Sequence, residues 1–230
     1  MSEDIIRDQI DYYRARAGEY DEWFLRRGRF DHGPELNERW FAEADQVRAA
    51  LDEFAPRGEV LELACGTGLW SQHLAQHADA LLAVDASAEV IELNRQRLGA
   101  AAHVAYHQSD IFSWQPDRQY DVVFFSFWLS HVPPDHFDAF WRTVRSALKE
   151  GGRFFLIDSL YNPTTTAHNH VLLGREATVQ DRKLNDGRTY RIVKIYYEPE
   201  ALSTRLQSLG FACDLHRSSD YFLYGSGTLI

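Results

Sequence analysis

From residue 59 onward the chain alternates short apolar runs with amphipathic segments, and this alternation restricts the fold more than any other feature. The runs EVLELA (59–64), ALLAVDA (80–86), HVAYHQ (103–108), YDVVFFSF (120–127) and RFFLIDSL (153–160) have the length and β-branched or aromatic content of buried strands. Between them, 69–77, 87–98 and 135–148 carry helical spacing. Ser87 stands as an N-cap with Glu89 favouring the helix dipole, and Gly151-Gly152 closes the last of the three. Strand and helix in strict turn predict a parallel sheet with helices on both faces.

The flanking regions follow other rhythms. Ile5, Ile6, Ile10, Tyr13, Ala17 and Tyr20 recur at three- and four-residue steps and predict a helix over 4–26. RGRFDHGPE then breaks the pattern before a second helix over 35–54, which Pro56 and Gly58 end. Residues 161–189 are polar and aperiodic, with Asn162-Pro163 and Asp186-Gly187 as turn signals. A loop of that length reads as a lid. A strand at 189–197, a helix ending at Gly210 and two strand-like runs, FACDLH and YFLYGSG, complete the chain.

Charge narrows the partners. With 24 Lys and Arg against 34 Asp and Glu, the net charge is −10. Arg14, Arg16, Arg26, Arg27 and Arg29 are interspersed with Glu19, Asp21, Glu22 and Asp31, which disfavours a phosphate-gripping face for nucleic acid. The two cysteines, Cys65 and Cys213, are too few for a disulfide framework. The start, MSEDIIRDQIDYY, lacks the apolar core of a signal peptide, and no run approaches a membrane span. The expectation is a cytoplasmic, reduced enzyme away from membranes.

The chemistry concentrates at strand ends. Glu62-Leu63-Ala64-Cys65-Gly66-Thr67-Gly68 lies directly after a strand and before a helix. Gly66 and Gly68 permit backbone angles closed to other residues and let a ligand approach the main chain. Asp85 ends the next strand, where a carboxylate accepts hydrogen bonds from ribose hydroxyls or, on the plainer reading, caps a helix. Asp110-Ile111 follows the third strand, placed to meet an adenine amino group and pack against its ring. All of them face one cleft.

VLELACGTGLW, LLAVDAS, QSDIF and YDVVFFSFWLSHVPP followed by LKEGGRFFLIDS resemble the successive motifs of class I S-adenosylmethionine-dependent methyltransferases over roughly residues 55–160. The resemblance implies a doubly wound, mostly parallel, Rossmann-like α/β sheet of seven strands with the last antiparallel. It implies S-adenosyl-L-methionine as cofactor, with the Gly66–Gly68 turn holding its methionine and ribose. Glu62 matches the acidic position of the first motif, Asp85 with Ala86 the ribose site, and Asp110 with Ile111 the adenine site. Ala64 stands where many members carry the first glycine. Phe127 joins the cofactor candidates after the fourth strand. YYRARAGEYDEWF is similar to the tyrosine-bearing helix of the ubiquinone/menaquinone-methyltransferase-like branch. By that likeness Tyr12, Tyr13 or Tyr20 closes over the sulfonium, and Tyr13 and Tyr20, seven apart, share a face. An aromatic face beside a cation contributes ~0.5–2 kcal/mol; as plain packing residues these tyrosines form an apolar helix stripe.

The expected organisation is a single domain over 1–230, with a helical cap (1–55), a cofactor-binding half (56–160), a lid or substrate insertion (161–197) and a C-terminal helix with strands (198–230). His131 is the candidate catalytic residue, either as a general base with a pKa near working pH or as an orienting group. His32, His168 and His170 rank below it. His168 and His170, two apart and without further ligands, give no metal site, and no metal is assigned.

A nicotinamide dehydrogenase would need a third glycine where Trp70 or Ser71 stands. An adenine-amino methyltransferase would place Pro-Pro-aromatic where Ser126-Phe127-Trp128-Leu129 stands. The expected reaction is therefore methyl transfer to a small molecule. A nucleic-acid or protein methyltransferase and a non-catalytic nucleotide-binding member of the same fold are the alternatives. Trp23, Phe24, Trp40, Phe41, Trp128, Tyr196 and Tyr197 point to an apolar or aromatic acceptor.

Overall fold

A computed structural model describes residues 3–230. Strands β1 (Glu59–Leu63), β2 (Ala80–Asp85), β3 (Val104–Gln108), β4 (Tyr120–Ser126) and β5 (Leu148–Ser159) run parallel. β8 (Phe211–Arg217) and β9 (Phe222–Leu229) complete a seven-stranded sheet in the order β3-β2-β1-β4-β5-β9-β8, with β9 antiparallel to both neighbours. The order reverses direction between β1 and β4, and in such sheets the crevice at the strand carboxyl ends beside that reversal is the binding cleft.

Side-chain alternation along β4 builds the two halves of the core. Val122 and Phe124 face α3 (Pro34–Phe54), where Trp40, Ala44, Val47 and Leu51 are fully buried. Val123 and Phe125 face α6 (Phe137–Ala147) and α7 (Pro199–Ser208), meeting Phe140, Trp141, Val144, Leu202 and Leu206. Trp141 touches Phe125, Phe154 and Phe211, and truncating such a side chain to Ala costs ~3–5 kcal/mol.

Several expected elements differ. The helix expected over 4–26 breaks into α1 (Glu3–Ala15), a 3₁₀ turn at Ala17–Glu19 and α2 (Tyr20–Phe24). Gly18 lies in the break, and the Arg16 guanidinium sits 4.9 Å from the Tyr20 ring, so tertiary packing overrides the periodic pattern. Of 69–77 only α4 (Ser71–Leu74) is α-helical. α5 (Ala88–Leu98) follows the Ser87 cap, whose hydroxyl accepts from the Val90 amide at 3.4 Å. α6 stops at Ala147, and Gly151-Gly152 falls inside β5, which starts early by pairing Leu148 with Tyr120 before a register shift.

The segment expected to form a lid is more regular than its composition predicts. β6 (Val179–Lys183) and β7 (Thr189–Val193) form a separate antiparallel hairpin, and the strand expected over 189–197 stops at Val193. VQDRK is too polar to read as a strand. Its partner, and the packing of Leu184 and Ile192 on Tyr12, supply what its own sequence lacks. Gln9, buried in α1, accepts from the Val193 amide at 3.1 Å and donates to the His131 carbonyl at 3.0 Å. One side chain thus joins cap, lid and the loop after β4.

Candidate active site

The glycine turn shows why its residues stand in that order. Ala64 has φ 54°, Gly66 φ 54° and Gly68 φ 89°, all left-handed. Ala64 accepts a conformation that glycine adopts without penalty, at a cost of about 1–2 kcal/mol. At Gly68 a Cβ would fall 2.7 Å from Asn94 Cγ, so the turn can approach α5 only without a side chain. Asn94 is buried and donates to Ser71 Oγ at 2.7 Å and to the Gly66 carbonyl at 3.3 Å. Asp21 of α2 accepts from Thr67 and Arg97, tying the cap to the turn.

Asp85 braces the other side. Its Oδ2 accepts from the Gly66 amide and its Oδ1 from the Ser87 amide, each at 3.0 Å. Burial raises its pKa, against the pull of these amides. Asp110 Oδ1 accepts from the Phe112 amide at 3.0 Å. A cavity continuous with solvent opens beside them. It is lined by Tyr13, Tyr20, Ala64, Gly66, Asp85, Ala86, Asp110, Ile111, Phe127 and His131 of the sequence-derived candidates. Gln9, Ile10, Ser87, Val90, Phe112, Ser126 and Trp128, none of them among the cofactor candidates, complete the wall.

Glu62 and Gly68 are not on that wall. Glu62 is 1% exposed, its Oε2 has no hydrogen-bond partner among the described residues, and burial pushes its pKa up to about 8. It underlies the turn, where Ser71 hydrogen-bonds its carboxyl and the nearby Asp85 charge raises its pKa further.

A second cavity shares Tyr13, Tyr20, Phe127 and His131 with the first and lies between the N-terminal helices and the β6–β7 hairpin. Phe127 holds φ 52° with its ring edge-on to Trp23 at 4.7 Å, a strained backbone at the junction. Arg16, Arg182 and Lys194 contribute cationic groups to this second cavity, and among the described residues no carboxylate lines it. The first cavity is the reverse, with Asp85 and Asp110 and no Lys or Arg. Sequence reasoning missed Arg182 and Lys194 because they enter from the hairpin and from the residue after it.

Lys194 Nζ is 2.8 Å from Ser130 Oγ, 2.9 Å from Ser159 Oγ and 3.6 Å from Asp158 Oδ1. Burial lowers its pKa to about 8, with Asp158 pulling partly back. His131 is held on both sides. Its Nδ1 is 2.6 Å from the Val193 carbonyl and its Nε2 2.7 Å from the Tyr13 hydroxyl. A carbonyl only accepts, so Nδ1 carries the proton and Nε2 receives the one from Tyr13. Burial and then the Lys194 charge hold His131 well below the usual imidazole range. His170 is lowered to about 4 by burial. The aromatic residues behind the expected apolar acceptor divide: Trp23 and Tyr196 line the second cavity and Trp128 the first, while Phe24 and Trp40 are core and Phe41 and Tyr197 pack against it.

This fold and cleft define an α/β enzyme of the nucleotide-binding kind. A methyltransferase-domain model matches residues 60–152, and the chain belongs to the class I S-adenosylmethionine-dependent methyltransferases. It is 37% identical to DhpI in its complex with SAH, covering 100% of this chain and 98% of that one at a TM-score of 0.82. The DhpI complex with SAM and HEP is also 37% identical, with 99% of each chain covered and a TM-score of 0.81. A ubiquinone biosynthesis O-methyltransferase of Xanthomonas euvesicatoria pv. vesicatoria is 32% identical over 155 residues, 66% of this chain and 61% of that protein. The chain spans between 29% and 66% of the length of the first curated relatives it matches, 54% for the Xanthomonas oryzae enzymes. Among the described residues no helix is long and apolar enough to cross a membrane.

Proposed function

We propose that this chain methylates a small anionic molecule, a carboxylate or a phosphate-type oxyanion, with S-adenosylmethionine as donor. The observation that carries this reading is the division of charge between two joined cavities. The acidic cavity suits the cationic donor. Asp85 meets the ribose, Asp110 and Ile111 the adenine, and the open backbone at Gly66 the methionine end. Glu62 and Gly68 act from behind by shaping the turn. The donor supplies an electrophilic methyl group: the carbon–sulfur bond breaks as the acceptor–carbon bond forms.

Arg16, Arg182 and Lys194 would hold the acceptor, which makes it an anion rather than the apolar or aromatic molecule expected from aromatic content. The aromatic rings then serve as walls that exclude water and strengthen those charges. An oxyanion is already deprotonated, so the transfer needs orientation rather than a base. His131 therefore acts as a positioning residue: by accepting the Tyr13 proton it fixes the Tyr13 hydroxyl at the cavity junction. The second cavity is closed over by the cap residues Tyr12, Arg16 and Tyr20 and the hairpin residues Arg182 and Ile192, an enclosure that suits a small molecule rather than a polymer. The free thiols Cys65 and Cys213 suit a reduced, cytoplasmic setting.

The test is a panel of small carboxylates, phosphate monoesters, neutral phenols and amines, assayed for S-adenosylhomocysteine release. Turnover should be confined to the anions and should fall in Arg182→Ala and Lys194→Ala. Turnover confined to neutral phenols or amines would reject the anionic acceptor.

A further inference from the structure

Away from the cleft, the segment leaving the glycine turn carries a histidine pair that neither cavity uses. His73 lies in α4 and His77 four residues on, where the Ala78 amide still donates to the Leu74 carbonyl at 2.9 Å. At that spacing two side chains share one helix face. The last turn of α3 passes this face, and Asp52 aims its carboxylate between the rings. Asp52 Oδ1 is 2.9 Å from His73 Nε2 and 2.9 Å from His77 Nε2. The oxygen hydrogen-bonds His77, whereas the buried His73 Nε2 has no hydrogen-bond partner among the described residues. Two ring nitrogens and one carboxylate oxygen thus converge, with one nitrogen unsatisfied.

We propose that Asp52, His73 and His77 form a surface site for a zinc-type divalent transition-metal ion. Imidazole and carboxylate are the ligand types such ions take, and two nitrogen donors disfavour magnesium or calcium. Ligand atoms about 2.0–2.2 Å from a tetrahedral ion lie roughly 3.2–3.6 Å from one another. The two oxygen–nitrogen separations need to open by only a few tenths of an ångström, and all three donor atoms lie within 4.8 Å of one another. The Asp52 side chain is 50% exposed and free to give that much, and a water takes the fourth position.

The site lies at the amino end of the sheet. Asp52 comes shortly before β1 and His77 shortly before β2, whereas the cleft occupies the strand carboxyl ends. The ion takes no part in methyl transfer. It clips the cap helix α3 to the segment that leads out of the glycine turn, and binding adds to stability by mass action. No sequence pattern announces the site, because Asp52 precedes His73 by 21 positions and joins it only through packing.

Untagged protein is titrated with zinc chloride by calorimetry and with cobalt chloride by visible absorption. A single equivalent should bind, raise Tm, give the absorption of tetrahedral cobalt and leave S-adenosylhomocysteine affinity unchanged. His73→Ala, His77→Ala and Asp52→Ala should each weaken binding by at least about tenfold. His216→Ala, beside Asp214 on β8, should leave it intact. Circular dichroism establishes that each variant is folded. Failure of the folded wild-type protein to bind zinc, or equal binding in all three ligand variants, would overturn the proposal.

Discussion

The Tyr13 hydroxyl donates to His131 Nε2 across 2.7 Å, so the histidine that sequence selects as the candidate base has its accepting nitrogen already occupied. The Val193 carbonyl holds the opposite nitrogen, and burial keeps the ring neutral. This pair connects α1 of the cap, the loop after β4 and the lid hairpin at the place where the two cavities meet.

If His131 orients Tyr13, Tyr13→Phe and His131→Ala should each lower kcat by about 10–100-fold, and the double variant should be little worse than either. The wild-type rate should show no acid limb near the ordinary imidazole value of 6.5, because the folded-state pKa lies well below it. Base catalysis is indicated instead if such a limb exists and disappears in His131→Asn.

Lys194 predicts a pH dependence of acceptor binding. Its ammonium is present below about 8 and lost above it, so the acceptor KM should rise as pH climbs past that value while cofactor affinity stays level. Lys194→Arg, which keeps its charge, should flatten the profile. Stability moves oppositely. The ordinary lysine value is 10.5, so between about 8 and 10.5 the unfolded chain binds more protons than the folded one. Stability therefore rises with pH across that window, and chemical denaturation of Lys194→Met should lack the rise.

In the proposed function Asp85 performs two tasks that one substitution separates. Asp85→Ala removes charge-assisted hydrogen bonds worth ~1.5–3 kcal/mol and should weaken S-adenosylhomocysteine binding by about 10–100-fold. The same change frees the Gly66 and Ser87 amides, so Tm should also fall. Calorimetry with unchanged affinity would show that Asp85 only braces the turn.

Ala64→Gly should raise stability by up to ~1 kcal/mol, because relief of the left-handed strain outweighs the greater freedom of glycine in the unfolded chain. Gly68→Ala should do the reverse, since its Cβ meets Asn94 and its φ is 89°. A thermal melt of both variants reads the two signs.

Strand–helix alternation over 59–160 is local information. A buried parallel strand must be apolar along its whole length, and its covering helix must be apolar along one stripe, so sheet, flanking helices and the glycine turn are legible from residues alone. Asp85 and Asp110 are equally legible, because the register of a parallel sheet sets strand ends side by side. The break at Gly18 and the early start of β5 are less so, since Arg16 over Tyr20 and the Leu148–Tyr120 pairing come from distant parts of the chain.

By itself, then, the sequence determined the class of fold and the acidic half of the cleft, the proposed donor side, where each group follows a strand end. Only the tertiary structure decided the cationic half, the proposed acceptor side. Arg16 arrives from the cap, Arg182 from β6 and Lys194 from beyond β7, and no spacing relates them. Their convergence depends on the hairpin folding back over α1. Burial strengthens the repulsion within a like-charged cluster of that kind, so no local preference favours it and only the surrounding fold holds its members together, which leaves no local pattern to read.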